Sequence, residues 1–286
     1  MNQIRSRTAL VVACLLYSSA AFAEPSEQPS DRVHAAQLTP IKPDPTSVKK
    51  PAFQLYLESD IPVLAVSAVL TSARLLRSTP PQCRMLDDHC DPAELNAFDR
   101  HFAGTWRPGW TAYSNYGFAA LTVGSATLLM IDEGPLSALN DAVVVAESAF
   151  VATALPSMTT LATSRPRPYT YGSRAPLTER QSGNASLSFI SSHTSVSFAV
   201  ATSMFIATKR LHPNSALPWL TLGIGLAGAT SIASARVLAG QHFPTDVFSG
   251  AVIGASVGVI IPSLHELPVQ VGPAAAGKGL SLSGNF

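Results

Sequence analysis

Long apolar segments recur along this chain and constrain its fold more than any other feature. They favour helices over strands because of their lengths and their content of small residues, and turn signals such as DEGP and KRLHPNS separate them. The segments lie at residues 61–76, 116–131, 138–155, 195–207, 217–239 and 246–264. We therefore predict an all-α fold, a bundle of about six core helices.

The environment of these helices is less tightly constrained. Several runs have only about 16 residues, fewer than the roughly 20 that a membrane span needs. Asp141 and Glu147 interrupt the third run, as in a buried soluble bundle; in a membrane they could mark a proton path. The segments 217–239 and 247–264, however, are long, almost uncharged and rich in Gly, Ala and Ser, which is typical of closely packed membrane helices. We expect a membrane-embedded bundle, with a soluble bundle as the alternative.

The first residues have the pattern of a bacterial secretory signal. Arg5 and Arg7 precede an apolar run, and Ala-Phe-Ala at 21–23 offers a cleavage site between small residues. We therefore predict a signal peptide over residues 1–23 that is removed on export. An uncleaved first helix is the alternative, although its apolar run is short for a span.

Three further regions follow the predicted signal. Residues 24–51 are rich in Pro, Ser, Gln and Lys and lack apolar periodicity, which predicts a flexible tether. We expect the helical domain over residues 52–267 and a C-terminal tail over residues 268–286. The alternation in GLSLSGNF, within that tail, is compatible with a short strand.

Two cysteines remain after the predicted cleavage, Cys83 and Cys90 in CRMLDDHC. In an exported protein they favour a local disulfide, because the compartment is oxidising. Zinc binding together with Asp87, Asp88 or His89 is the alternative, but it lacks a recognised ligand spacing.

The charge balance excludes one class of partner. The chain has 19 Lys plus Arg and 18 Asp plus Glu, with a formal net charge of +1. Such a chain has no broad basic surface, so we predict no nucleic-acid partner.

Three short polar segments lie at the edges of the apolar helices. They are SRPRPY at 164–169, FISSHTS at 189–195 and ARVLAGQHFPTD at 235–246. In the second segment, Ser191 and Ser192 are suitable N-caps for a helix that carries His193. Their hydroxyls and the free backbone N–H groups beside them predict a site for an anion.

The third segment concentrates ionisable groups. Pro244 suits the first turn of a helix, and Asp246 falls in the same turn, where the helix dipole favours it. His242 is four residues earlier, so the carboxylate can reach one imidazole nitrogen if the helical turn extends back that far, leaving the other as a nucleophile. With Arg167 and Arg236 to bind phosphate oxygens, and no metal-ligand cluster among these segments, the set suits phosphoryl transfer without a metal.

These residues resemble the motifs of a known family. RP at 167–168, SSH at 191–193 and AR-x5-H-x3-D at 235–246 are similar to the three motifs of the type 2 phosphatidic acid phosphatase (PAP2) superfamily, which are K-x6-RP, PSGH and SR-x5-H-x3-D. The order and the separations match over roughly residues 138 to 264. The third motif is the specific one, whereas the first two are degraded.

The resemblance implies a role for each matching residue and a six-helix bundle of the PAP2/acid phosphatase type. His242 would attack phosphorus to form a phosphohistidine, Asp246 would hold its ring, and His193 would protonate the leaving alcohol. Phosphate binding would fall to Arg167, Arg236, Ser191 and Ser192. No metal or other cofactor is implied, and in the membrane branch of the family the site faces the extracytoplasmic side.

The departures from the family pattern affect the phosphate site. Counting back from Arg167, the family's lysine falls at Thr160, and Arg165 is a candidate substitute. The proline and glycine of the second motif become Ile190 and Ser192, and the serine of the third becomes Ala235. The loss of one charge from such a site can cost about a hundredfold in rate.

Together these features predict a metal-independent phosphatase for lipid phosphate monoesters or lipid pyrophosphates. We expect it in the bacterial inner membrane with a periplasm-facing site, in contact with membrane lipid and with a phosphorylated lipid or small phosphate ester as substrate. The alternatives are a soluble periplasmic acid phosphatase of broad specificity and a weakly active or inactive phospholipid-binding bundle. A vanadate-dependent haloperoxidase ranks last, because that chemistry also relies on the missing lysine.

Overall fold

The computed structural model describes residues 51–73, 80–265, 270–273 and 280–283. The predicted signal peptide at 1–23 lies outside the described residues, and so does the predicted tether up to residue 50. Within the described ranges most residues are helical, which confirms the all-α prediction.

Six helices of 17 residues or more form the bundle. They are α1 (Leu57–Ala73), α3 (Pro108–Glu133), α4 (Pro135–Thr163), α6 (Ser192–Leu211), α7 (Leu217–Leu238) and α8 (Pro244–Leu264), and the short helices α2 (Ala97–Arg100) and α5 (Leu177–Arg180) lie between them. Each long helix coincides with one predicted apolar segment. However, α3 and α4 reach 26 and 29 residues, because the Ser, Thr and Asn residues that interrupt their hydropathy remain helical.

The residues that begin and end α4 place the first motif directly after this helix. Gly134, with φ of 81°, separates α3 from Pro135, which occupies the first turn of α4. At the other end of α4, Ser164 adopts a left-handed conformation with φ of 48°. The chain then leaves the bundle through Arg165-Pro166, because the residue before a proline disfavours the helical region.

α6 is the central helix, and it packs against α4, α7 and α8. Its contact with α8 is backbone against backbone, since α8 presents three glycines at intervals of four residues, the first of them Gly250. A Cβ at Gly254 would overlap the Ser195 carbonyl oxygen, and one at Gly258 would overlap that of Ala199. The helix that begins with the second motif is thus seated directly on the helix that follows the third.

Among the described residues, four helical stretches are long and apolar enough to cross a membrane. They are Pro108–Glu133, Pro135–Tyr171, Leu217–Leu238 and Pro244–Leu264. α3 and α4, with 26 and 29 residues, are longer than the apolar runs within them, so the short runs do not argue against a span here. Large apolar side chains also point outward from the bundle, including Tyr116, Ile131, Leu136 and Phe248 at 78%, 77%, 78% and 72% exposure. Exposed apolar surface of this extent marks contact with lipid or with another protein.

The segment between α1 and α3 carries the disulfide. Strands β1 (Met85–Leu86) and β2 (His89–Cys90) form a short antiparallel pair. Cys83 and Cys90 are bonded to each other, which confirms the disulfide and excludes a zinc site made by these two thiols. Cys90 and Leu95 pack with Tyr171 and Phe243, so the disulfide lies at the end of the bundle that carries the third motif.

Two short strands lie in the predicted C-terminal tail. Strand β3 (Gln270–Pro273) pairs antiparallel with β4 (Leu280–Ser283), which confirms a strand within GLSLSGNF.

Candidate active site

The three motif segments meet around one cavity of about 540 Å³ at an end of the bundle. Five of the seven predicted site residues line it: Arg167, Ser192, His193, Arg236 and His242. The opposite wall comes from α3 through Thr111, Ala112 and Asn115. Both imidazoles and both guanidinium groups therefore share one space, as a common phosphate ligand requires.

A tight turn between α7 and α8 presents His242 to this cavity. Gly240 has φ of 76°, and a Cβ there would overlap the Thr105 carbonyl, so the turn requires glycine. The N–H groups of Gln241 and His242 both donate to the Arg236 carbonyl, at 3.1 and 3.3 Å. The imidazole is thereby fixed next to Arg236, whose Nη1 donates to Ser114 Oγ at 3.3 Å.

The hydrogen bonding of His242 defines which ring nitrogen can react. Nδ1 lies 2.7 Å from the Ser188 carbonyl oxygen. Since a carbonyl can only accept, Nδ1 carries the proton and Nε2 keeps its lone pair. Burial, together with the positive charges of Arg167 and Arg236, holds the pKa of His242 well below its ordinary value. The ring is therefore neutral and nucleophilic at neutral pH.

Asp246 does not contact His242 as the sequence predicted. Its Oδ2 is 3.9 Å from His242 Nδ1, beyond hydrogen-bond range. The reason is that α8 begins at Pro244, so the helical turn does not extend back to His242. Asp246 instead accepts from the Phe243 N–H at 2.8 Å and from Ser188 Oγ at 2.6 Å.

Ser188 therefore stands between the carboxylate and the imidazole. Its hydroxyl donates to Asp246 while its carbonyl accepts from His242. Asp246 can hold the ring only through this residue, which sequence reasoning missed. Ser188 lies three residues before the SSH of the second motif, and no local pattern distinguishes it from the other serines in NASLSFISS.

Arg165 does not replace the missing lysine in the cavity. Its guanidinium donates to Asp246 and, at 2.7 Å, to Asp99 Oδ2, and it stacks 4.4 Å above the Phe243 ring. Burial opposes ionisation of Asp99, but hydrogen bonds from Thr245, Arg165 and Asn96 outweigh it and lower its pKa. Arg165 is thus a structural cation behind the site, and the hypothesis that it binds phosphate is wrong.

Arg167 is held in the cavity by two residues outside the predicted set. Its Nε and Nη2 donate to the backbone and side-chain oxygens of Asn184, at 2.9 and 3.1 Å, and its Nη1 donates to Gln241 Oε1. Gln241 directly precedes His242, so its position in the third motif was a usable signal. Asn184 comes from the loop between α5 and α6 and has no such signal.

His193 is the second residue of α6 and faces α3 across the cavity. Its Nε2 lies 3.1 Å from Asn115 Oδ1, and its ring packs against Phe118 with centroids 5.0 Å apart. An amide oxygen only accepts, so Asn115 keeps a proton on this nitrogen. Asn115 is a further residue that the sequence did not identify.

Two predicted positions have local roles instead. Ser191 is fully buried and caps α6, accepting from the Thr194 hydroxyl at 3.0 Å and from its N–H at 3.5 Å. It does not line the cavity, so its predicted hydroxyl contact with phosphate is wrong, whereas Ser192 remains a candidate. Thr160, at the position of the family lysine, donates to the Pro156 carbonyl within α4 and is also outside the cavity lining.

Ser188→Ala is expected to lower kcat by about tenfold with little change in KM. The substitution removes the hydrogen bond from the Ser188 hydroxyl to Asp246, which holds in place the backbone carbonyl that accepts from His242. Phosphate release measured against substrate concentration tests this. Ser188→Thr keeps a hydroxyl and should recover most of the rate. Ser157→Ala, which removes an equally buried hydroxyl bonded only within α4, serves as the control. Equal losses in Ser188→Ala and Ser157→Ala would contradict a positioning role.

A comparison with protein families agrees with the motifs. Residues 141–268 match the PAP2 superfamily. No curated protein sequence matches the chain. Among solved structures, the chain is similar to the first transmembrane PAP2-type phosphatidylglycerolphosphate phosphatase from Bacillus subtilis, with 18% identity, a TM-score of 0.44, and coverage of 72% of this chain and 96% of that one. The stretch that matches this family model contains all three motifs, at 167–168, 191–193 and 235–246, as the sequence predicts.

Proposed function

We propose that this protein is a membrane phosphatase that hydrolyses phosphate monoesters or pyrophosphates of lipids through a phosphohistidine on His242. One observation carries the proposal: two buried guanidinium groups and two imidazoles line a single cavity. Guanidinium pairs recognise phosphate oxygens, and a neutral imidazole with a free lone pair attacks phosphorus.

The first half of the reaction transfers phosphate to the protein. Arg167 and Arg236 bind the phosphate oxygens, and the N-terminus of α6 at Ser192 adds backbone donors. Nε2 of His242 forms a bond to phosphorus while the bond from phosphorus to the leaving oxygen breaks. The imidazolium form of His193 donates its second proton, the one that Asn115 does not hold, to that oxygen. The product leaves as a neutral alcohol, or as a lipid phosphate if the substrate is a pyrophosphate.

The second half releases the phosphate. A water molecule loses its proton to His193 as its oxygen bonds to phosphorus, and the bond between phosphorus and Nε2 breaks. His193 regains the proton it gave away, and His242 returns to its neutral form with Nδ1 still bonded to Ser188. Arg167 and Arg236 stabilise the charge that develops in both steps.

The disulfide supports a periplasmic orientation of the cavity. It forms in an oxidising compartment, and it lies at the cavity end of the bundle. The four apolar stretches and the exposed apolar side chains on the bundle surface support a location in the inner membrane, with lipid as the neighbour of the cavity mouth.

Membrane extraction and substrate assays test the proposal together. Carbonate washing should leave the protein in the membrane fraction, and the purified protein should release phosphate from phosphatidic acid or a lipid pyrophosphate in detergent micelles. Release only from a chromogenic phosphate by a carbonate-extractable protein would favour a soluble acid phosphatase. A folded protein that binds these lipids and releases no phosphate would favour a phospholipid-binding bundle, which the absence of lysine from the described cavity lining makes a specific alternative.

The pH dependence of turnover should report the environment of His242. Because its pKa is lowered, the nucleophile stays unprotonated into the acid range, and the acid limb of kcat/KM should lie below the ordinary pKa of histidine. Arg167→Gln removes one of the cations that lower this pKa, so the pKa rises and the acid limb moves to higher pH. Arg174→Gln removes an exposed guanidinium outside the cavity lining and should leave the limb in place. A limb that Arg167→Gln does not move would show that another group limits the rate at acid pH.

A further inference from the structure

A second cluster of ionisable side chains lies at the opposite end of α8 from His242. It consists of Asp60 in α1, Glu147 in α4 and His265 directly after α8, with exposures of 3%, 3% and 7%. α8 has 21 residues, and at about 1.5 Å per residue it separates this cluster from the cavity by about 30 Å. The proposed phosphatase chemistry does not use it.

His265 directs one nitrogen at both carboxylates. Its Nδ1 is 2.9 Å from the Ile261 carbonyl oxygen and therefore carries a proton. Its Nε2 is 3.3 Å from Asp60 Oδ1 and 3.4 Å from Glu147 Oε2, and the three ligand atoms all lie within 4.8 Å of one another. A backbone carbonyl that fixes the tautomer in this way is the usual support of a metal-binding histidine.

A proton on Nε2 does not satisfy both carboxylates. The N–H at Nε2 of His265 can point at only one acceptor, and its geometry here favours Asp60. Asp60 also accepts from the Tyr56 N–H at 2.8 Å. Glu147 Oε2 accepts no hydrogen bond from the described residues, although it is buried and points into the cluster. A buried carboxylate oxygen without a donor raises the free energy of the folded state. The cluster therefore needs one further positive group that can contact Glu147.

A divalent cation supplies that group with suitable geometry and charge. In a tetrahedral zinc site with bonds of about 2.0–2.1 Å, ligand atoms are about 3.3–3.4 Å apart. The two distances from His265 Nε2, 3.3 and 3.4 Å, match this spacing. Two carboxylates and a neutral imidazole also balance the charge of one divalent ion, so the buried site becomes neutral overall.

We propose that Asp60, Glu147 and His265 bind a divalent cation of the zinc class. The three ligands come from three elements of the chain, so the ion joins α1 to α4 and to the end of α8 and has a structural role. A fourth position remains for a water molecule or for the second oxygen of a carboxylate. The sequence showed no metal-ligand spacing because Asp60 and His265 are 205 positions apart.

Zinc binding by the untagged full-length protein in detergent tests the proposal. After incubation with zinc chloride and dialysis into metal-free buffer, we expect about one zinc per chain by elemental analysis. Glu147→Gln and His265→Gln should each lower this occupancy at least tenfold. Zinc should raise the Tm of the wild type by about 5 °C and leave the Tm of both variants unchanged.

His212→Gln is the matched control, since His212 pairs with Asp132 at 2.6 Å elsewhere in the fold, and it should retain zinc. Wild-type protein with less than about a tenth of a zinc per chain would overturn the proposal, and so would full occupancy in both Glu147→Gln and His265→Gln. If those variants fail to fold, the wild-type stoichiometry and Asp60→Asn decide the question in the same way. Phosphate release is scored separately, so an inactive protein that binds zinc leaves this site standing.

Discussion

His242→Ala is expected to reduce phosphate release by a factor on the order of 10⁴ or more, because it removes the atom that bonds to phosphorus. Wild-type protein quenched during turnover of labelled substrate should carry acid-labile phosphate, and the variant should carry none. The structure indicates which nitrogen reacts. Nδ1 of His242 donates to the Ser188 carbonyl, so Nε2 is the nitrogen that can form the bond to phosphorus. Added imidazole, which fits the space vacated by the ring, should restore part of the rate.

His101→Ala is the control for this experiment, since His101 is exposed and lies outside the cavity lining. It should keep wild-type turnover and wild-type trapping of phosphate. Acid-labile phosphate on the His242→Ala protein would assign the nucleophile to another residue. Unchanged turnover in that variant would reject the proposed reaction.

Arg236→Ala is expected to lower kcat/KM by about 10² to 10³, as the loss of one donor from an oxyanion-binding site typically does. The guanidinium is 4% exposed and contacts Ser114 at 3.3 Å, so its charge acts in surroundings that water screens little. Arg236→Lys should recover only part of the activity, because an ammonium group cannot bind two phosphate oxygens as a planar fork. Inhibition by inorganic phosphate should weaken in parallel.

Arg174→Ala is the control for Arg236→Ala, since the Arg174 side chain is exposed and outside the cavity lining. It tests whether the loss of any positive charge from the protein lowers kcat/KM. It should leave both kcat/KM and the inhibition constant for phosphate unchanged. The interpretation fails if Arg236→Ala keeps its affinity for phosphate while its turnover falls, because that pattern would remove Arg236 from the phosphate site.

The sequence predicted the helices and much of the cavity because both are encoded locally. Apolar runs identified all six long helices, and the motif spacing brought Arg167, His193, Arg236 and His242 to one place. Each of these side chains follows or begins a helix, so its position depends mainly on where that helix starts or ends.

The remaining contacts depend on tertiary packing and could not be derived from spacing. Asp246 was expected on His242 from a four-residue interval, but the helix start at Pro244 directs it to Ser188 instead. Asn115 reaches His193 from a helix 78 positions away. Arg165 is two residues from Arg167, yet its guanidinium donates to Asp99 and Asp246 and does not line the cavity.

The glycine contact between α6 and α8 sets the distance between these two helices at the cavity. Any side chain added at Gly250 or Gly254 would meet the backbone of α6 and wedge the two helices apart, shifting His193 relative to His242. Thr111, Ala112 and Asn115 line the cavity from α3, which is not part of this glycine contact. Substitutions at Thr111 or Ala112 can therefore change the size of the cavity without altering the α6–α8 contact, whereas Asn115 is tied to His193.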